Sequence, residues 1–330
     1  RGPAFRVVLF RRSEQETVLL VAVHHIITDF WSMTLLASEV MTSYAAEKSG
    51  QTPVLPPLRN SYVDYARWRN EMLAGPEGER HWEYWREQLS GELPTLNLPA
   101  DRPRRPIQTY RGETLHLQVS AELTRRLKEL AAANGATLYM ALLAAFQTLL
   151  HRYSGQNDIL VGSAMAGRSH PDLAGLMGYF VNPVGLRADF SEDLSFNALL
   201  ARVRRTVLDA LDHQDFPPAL LAERLHSLRR DASRPPLFET TFIYEQAHVE
   251  GVRNLNSVAL GIPGARIEMD GLTFESMALL RQPSQFDLTL MMAETGDGLA
   301  ASLIYNSDLF DPATIARLAD HFQNLLRGVS

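Results

Sequence analysis

Residues 94–106 (PTLNLPADRPRRP) hold four prolines and three arginines in thirteen positions, and no other stretch restricts the possible folds so strongly. Proline fixes φ and donates no backbone hydrogen bond, so neither a helix interior nor a central strand can run through this segment. Its composition suits a linker or a long crossover, and a domain boundary is expected near residue 107, dividing the chain into 1–106 and 107–330. At 330 residues there is enough chain for two domains of ordinary size, or one large one, with a sizeable buried core.

Strand-like and helix-like stretches alternate on both sides of the boundary. Residues 5–10 (FRVVLF) and 18–23 (VLLVAV), separated by a polar break at 13–16, read as a β-hairpin. The second run is apolar on both faces, which predicts a central, buried strand, and a chain that opens inside a sheet reads as one whose beginning is missing. If those partners were absent, unpaired edges and exposed apolar surface would make the chain poorly stable alone. An amphipathic helix over 31–47 follows, stopped by Gly50, then two aromatic helices around Tyr62, Tyr65 and Trp68 and around Trp82, Tyr84 and Trp85.

Beyond the boundary the pattern restarts with an alternating strand at 114–119. A helix capped by Ser120, a long apolar helix over 137–153 and a short buried strand at 158–163 come next. Strands at 179–186, 237–245, 285–293 and 300–305 and helices at 196–212, 216–228 and 312–326 complete the chain, so the class is α/β or α+β in two lobes.

Composition closes several routes. Lys plus Arg 32 against Asp plus Glu 38 gives −6, which supplies no electrostatic case for nucleic acid or an anionic membrane. Zero cysteines remove disulfides, thiolate metal sites and a cysteine nucleophile. No apolar run reaches the roughly 18 residues that span a bilayer, and no cleavable signal opens the chain, so a cytoplasmic protein is the default. Neither a G-x-S-x-G elbow, a G-x-G-x-x-G loop nor a Walker loop is present.

The sharpest constellation is His24-His25-x-x-x-Asp29, at a strand end just before a helix. Side-chain alternation would point the two histidines to opposite sides, one toward a cavity and one into the fold. An imidazole facing a cavity can take or relay a proton near neutral pH. Asp29 at a helix start can cap free amides, orient a histidine or pair with an arginine. Diverging histidines with no further ligands do not form a tetrahedral metal set, and no metal is expected.

Several separated segments together resemble one family, the condensation domain of nonribosomal peptide synthetases, a relative of chloramphenicol acetyltransferase-like enzymes. VAVHHIITDFWS is similar to the family's HHxxxDG, with Phe30 in place of the glycine, and residues 62–68 (YVDYARW) are similar to YxDYAxW. Residues 177–183 (MGYFVNP) with Arg187 resemble GxFVNTxxxR, with Pro183 where threonine is usual. Residues 213–217 (HQDFP) resemble HQDxPF, with Pro218 at the phenylalanine, and residues 230–238 (RDASRPPLF) resemble RDxSRxPLF. FDLTL at 286–290 and YNSDLFD at 305–311 also fit.

The resemblance implies two chloramphenicol acetyltransferase-like lobes forming a V around a central cleft. The N-terminal lobe would be incomplete, because the family's two earliest motifs are absent. It implies amide-bond formation between a carrier-bound acyl or peptidyl thioester and a carrier-bound aminoacyl acceptor. No cofactor would be bound directly. Phosphopantetheine arms would be delivered by upstream donor and downstream acceptor peptidyl carrier domains, beside a neighbouring adenylation domain. His25 would be the cavity-facing catalytic histidine, as general base or as positioner of the amine. His24 and Asp29 would be supporting residues, with Asp29 paired to Arg168 first and Arg187 second. Phe30, Trp31, Ser32, Gly178, Tyr179 and Asn182 would line the channel. A carrier-docking module without chemistry, and a free acyltransferase using a soluble acyl thioester, are the alternatives.

Overall fold

The computed structural model describes residues 2–225, 231–248, 255–269, 271–278, 283–296 and 298–330. It opens with a hairpin of β1 (Phe5–Arg11) and β2 (Thr17–Val23), followed by α1 (Phe30–Lys48), α2 (Tyr62–Ala74) and α3 (Pro76–Gln88). The second part runs β3 (Gly112–Ser120), α4 (Ala121–Ala133), α5 (Leu138–Ser154), β4 (Asp158–Met165), β5 (Asn182–Asp189), α6 (Phe196–Asp212) and α7 (Pro218–Arg224). It continues with β6 (Thr240–Glu245), α8 (Leu255–Ala259), β7 (Arg266–Met269), β8 (Leu272–Glu275), β9 (Leu288–Thr295), β10 (Gly298–Asn306) and α9 (Pro312–Val329). Of the helix expected over 216–228, the portion past residue 225 lies outside the described residues, as does Arg230.

Six strands form one mixed sheet in the order β3-β10-β9-β6-β4-β5. β6 is parallel to both β4 and β9, and the remaining pairs are antiparallel. α5 is the keel of this part: Thr137 caps its start, Gly155 ends it in a left-handed conformation, and ten of its seventeen residues are buried. α4, α6 and α9 pack around it, each with one apolar stripe turned inward. Gly162 on β4 is required by packing, because a Cβ there would fall 2.0 Å from the ring of Phe238.

The core does not stop at residue 107. Trp85 from α3, with Leu89, Leu93 and Leu96 just beyond it, belongs to the same buried cluster as α5 and α9. The proline- and arginine-rich stretch is a pinned crossover along the strand ends. The Asp101 amide donates to the Leu309 carbonyl at 2.9 Å. Arg102 pairs with Asp311, Arg104 with the buried Asp287, and Arg105 with Asp308 at 3.2 Å.

The hairpin departs from expectation. Among the described residues β2 pairs only with β1, so it is not a central buried strand. Both faces of the two-stranded ribbon are largely open, leaving Leu9 67%, Leu19 46% and Leu20 44% exposed.

This distribution of burial predicts two contrasting substitutions. Phe322→Ala, at a side chain 1% exposed between α9 and α5, should cost about 3–5 kcal/mol. Leu9→Ala should cost no more than about 0.5 kcal/mol. Urea unfolding monitored by circular dichroism measures both.

Candidate active site

β2 ends at Val23, and His24 caps a single 3-10 turn, His25–Ile27, so neither histidine lies on the strand. Both are therefore exposed, and neither is driven into the fold as strand alternation would require. They are set in opposite tautomers by their neighbours. The Ile26 amide donates to His24 Nδ1 at 3.1 Å, so that nitrogen is bare. His25 Nδ1 lies 2.6 Å from the Thr28 carbonyl, which can only accept. His25 Nδ1 thus carries the proton, and its Nε2 holds a free lone pair. The edge of Tyr179 meets the His25 ring at 5.1 Å.

Asp29 caps α1 and is buried. Its Oδ1 accepts from the Ser32 amide at 2.7 Å and from Arg168 Nη2 at 3.3 Å, while Oδ2 accepts from the Phe180 amide at 3.1 Å. Ser32 Oγ accepts from the Gly178 amide at 3.0 Å and from Arg168 at 3.0 Å, and donates to the Gly178 carbonyl at 2.9 Å. Arg168 also donates to the carbonyls of Leu173 and Leu176 and lies 4.0 Å over the ring of Phe180. Burial lowers the Arg168 pKa, and Asp29 works against that shift.

Arg187 does not join this group. It projects from β5 to Asp158 at 2.6 Å and to the carbonyls of Gln88 and Ser90. Its strand neighbour across β4 is Leu160, well along the sheet from the Arg168 loop.

Of the residues expected along a channel, Tyr179 is half-buried beside His25. Trp31 donates to the Ala174 carbonyl at 2.8 Å and stacks on His248 at 3.9 Å. Ser32, Gly178 and Asn182 instead belong to the scaffold. The Ser32 hydroxyl has no capacity left. A Cβ on Gly178 would strike the Tyr62 ring at 2.2 Å, so that glycine admits an aromatic ring of this chain. Asn182 donates to the carbonyls of Gln214 and, at 2.7 Å, Phe216, and accepts from Arg69 at 3.3 Å. Phe30 is the first residue of α1 with ordinary helical backbone, so nothing in the chain path demands glycine there.

Three participants carry no clear mark of the site in the sequence. Tyr62, grouped with core aromatics by its helical spacing, donates to the Tyr179 carbonyl at 2.7 Å. His248 covers Trp31. Glu245, at the end of β6, is partly buried, and burial, with Asp29 adding, pushes its carboxyl up to about 7. Tyr62 does open the YVDYARW segment that carries the family resemblance, whereas for Glu245 and His248 the only sequence signal is a polar group close to an apolar run.

A mixed sheet backed by helices, with a histidine-bearing turn held against the β4–β5 loop, is the arrangement of a chloramphenicol acetyltransferase-like fold. The model of the family described as Condensation domain matches residues 1–330, and the chain belongs to that family. It is 43% identical over 329 residues to one of the linear gramicidin synthase subunits of Brevibacillus parabrevis, covering 100% of this chain and 6% of that protein. Against surfactin synthase subunit 1 of Bacillus subtilis (strain 168) the identity is 38%, over 99% of this chain and 8% of the relative. The chain thus spans a small part of these relatives. Among solved structures, the four-domain nonribosomal peptide synthetase holo-AB3403 superposes with a TM-score of 0.86 at 24% identity, over 99% of this chain and 24% of that one. The X-domain from teicoplanin biosynthesis gives 0.82 at 29%, over 100% and 72%.

Removing one member of the buried pair leaves the other charge uncompensated. Arg168→Met should destabilise the chain by about 3–5 kcal/mol. Combined with Asp29→Asn, it should cost at least about 1 kcal/mol less than the sum of the single changes, as a double-mutant cycle in urea measures.

The HQDFP segment carries a second, separable prediction. His213 Nδ1 and His81 Nδ1 lie 2.9 Å apart, and burial, with Arg80 and His213 adding, pushes the His81 imidazole down to about 4. The unfolded chain then binds a proton that the folded chain refuses. Stability from this group is complete above about 6.5 and is lost as pH falls toward 4. The urea midpoint should fall across that window, and His81→Gln should flatten the slope.

Proposed function

We propose that the chain joins a donor acyl or peptidyl thioester to the amine of an aminoacyl thioester, with both substrates carried on phosphopantetheine arms of partner carrier domains. The amine attacks the donor carbonyl, a C–N bond forms, the C–S bond breaks and the donor arm leaves as a thiol. The observation that carries this reading is the free Nε2 of His25, exposed at a turn whose geometry is locked by Thr28 and Asp29. Nε2 can accept a proton from the attacking nitrogen as the tetrahedral intermediate forms and return it to the departing sulfur. Holding two thioesters in line supplies the rest of the acceleration.

On this reading His24 and Asp29 support the turn, Arg168 supports Asp29, and Tyr179, Trp31 and Phe30 border the path of the arms. The upstream and downstream carrier domains and an adenylation domain are the partners, in a cytoplasmic synthetase of which this chain is a segment. A second reading, carrier docking without chemistry, is favoured by one feature, the bulk of Phe30 five residues from His25.

His25→Ala should lower amide formation between two loaded carrier domains by at least about 100-fold while the melting temperature is unchanged. Retained turnover in the folded variant would remove His25 from the chemistry. Carrier binding with no amide from the unmodified chain supports docking alone, and turnover without carriers supports a free acyltransferase.

A further inference from the structure

Glu245 gains a role that rests on the condensation reading above. β6 shows which way this residue points. Phe242 and Tyr244 face α5, where their rings lie 5.5 and 6.5 Å from Tyr139, and Phe242 also lies 6.1 Å from Phe146. Alternation puts Ile243 and Glu245 on the opposite face of the sheet. Three residues later His248 stacks on Trp31, so the chain leaving Glu245 passes directly to the start of α1. The carboxylates of Glu245 and Asp29 are close enough to act on each other through space.

The two acids differ in what neutralises them. Asp29 has Arg168 and two backbone amides. Among the described residues, no hydrogen-bond donor or cation reaches the Glu245 carboxylate. Asp29 from the start of α1 acts on it, the uncharged Ala293 lies opposite it on β9, and His248 follows three residues later in the chain. Burial and Arg168 hold the His248 pKa down, so it supplies no compensating charge near neutral pH. A partly buried carboxylate without a partner either takes up a proton or draws in a cation.

We propose that Glu245 binds the ammonium group of the acceptor and takes its first proton. Two protons must leave that nitrogen before an amide exists, and His25 offers one free ring nitrogen. In the first step the carboxylate takes a proton from the ammonium, giving a carboxylic acid and a neutral amine. The amine lone pair then forms the C–N bond as the carbonyl π pair moves to oxygen. Collapse of the intermediate breaks the C–S bond; the second proton passes through His25 Nε2 to the thiolate, and Glu245 returns its proton to solvent. The proton transfer is nearly balanced, since an α-amino group titrates at about 7.7–8.0 and the Glu245 carboxyl at about 7.

Two measurements on the 330-residue chain test this. In the first, calorimetry at pH 7 compares alanyl-pantetheine, made with an amide in place of the thioester, with its N-acetylated form. The unmodified chain should prefer the free amine by about tenfold or more, Glu245→Gln should reduce that preference to about twofold or less, and Glu245→Asp should keep part of it. An equal preference in the Gln variant overturns the proposal. In the second, amide formation is followed against pH with loaded carriers. The Gln variant should be at least about tenfold slower at pH 7 and within about twofold at pH 9, where the amine loses its proton unaided. A deficit of the same size at both pH values overturns the proton-acceptor role. If the unmodified chain forms no amide, the condensation reading fails, and the calorimetric comparison still decides whether Glu245 binds the amine.

Discussion

The buried contact between Asp29 and Arg168 joins two segments 139 residues apart in sequence, and the position of the histidine turn depends on it. Each charge would be costly to hold away from water alone. Here most of the remaining valences are filled: two amides complete the carboxylate, two carbonyls and a hydroxyl take protons from the two terminal guanidinium nitrogens, and Phe180 and Trp31 supply aromatic faces, while the buried Arg168 Nε has no partner among the described residues. His25 hydrogen-bonds to the carbonyl immediately before Asp29. The catalytic candidate is thus fixed to the sheet through one peptide unit and one ion pair, although its own ring is exposed.

A second ring of contacts explains why so many motif residues are not at the surface of the site. Tyr62 fills the space left by Gly178 and bonds the Tyr179 carbonyl, while Arg69 of the same helix reaches Asn182. Asn182 in turn ties the carbonyls of Gln214 and Phe216. The YVDYARW, FVN and HQDFP segments are therefore successive layers behind the loop that carries Arg168. What they contribute is the placement of Tyr179 and of the Asp29 pocket, and most of the polar groups they bury are satisfied by the next layer, the buried Arg69 Nε being an exception.

Local signals carry the element order well. The Thr137 cap and Gly155 bound α5, and Asp29 at the head of an apolar stretch marks both the start of α1 and a residue ready for an arginine partner. Other features are set by tertiary context. The double-faced apolarity of residues 18–23 points to a buried strand, yet burial depends on what covers a strand, and hydrophobicity cannot report that. Alternation across His24 and His25 fails because the strand stops one residue earlier, where a 3-10 turn rather than a pleat sets the side-chain directions. Arg187 lies close to the FVN motif in sequence, but its position on β5 directs it to Asp158. The proline-rich stretch runs past the ends of the sheet strands, and its arginines hold it against three aspartates there.

The electrostatics of the site follow from a difference between two carboxylates. Asp29 sits at a helix start, with backbone amides and a guanidinium around it, so its charge is used up in holding the scaffold. Glu245 sits at the end of a strand, which offers almost no dipole, and faces Asp29 rather than a cation. The first arrangement makes a rigid support for His25, and the second leaves a negative charge whose natural counterpart comes from outside the chain. Under the proposed reaction, an amine that arrives protonated would find attraction and deprotonation in one group, and the imidazole would be left for the second proton of the nitrogen, which it passes to the departing sulfur.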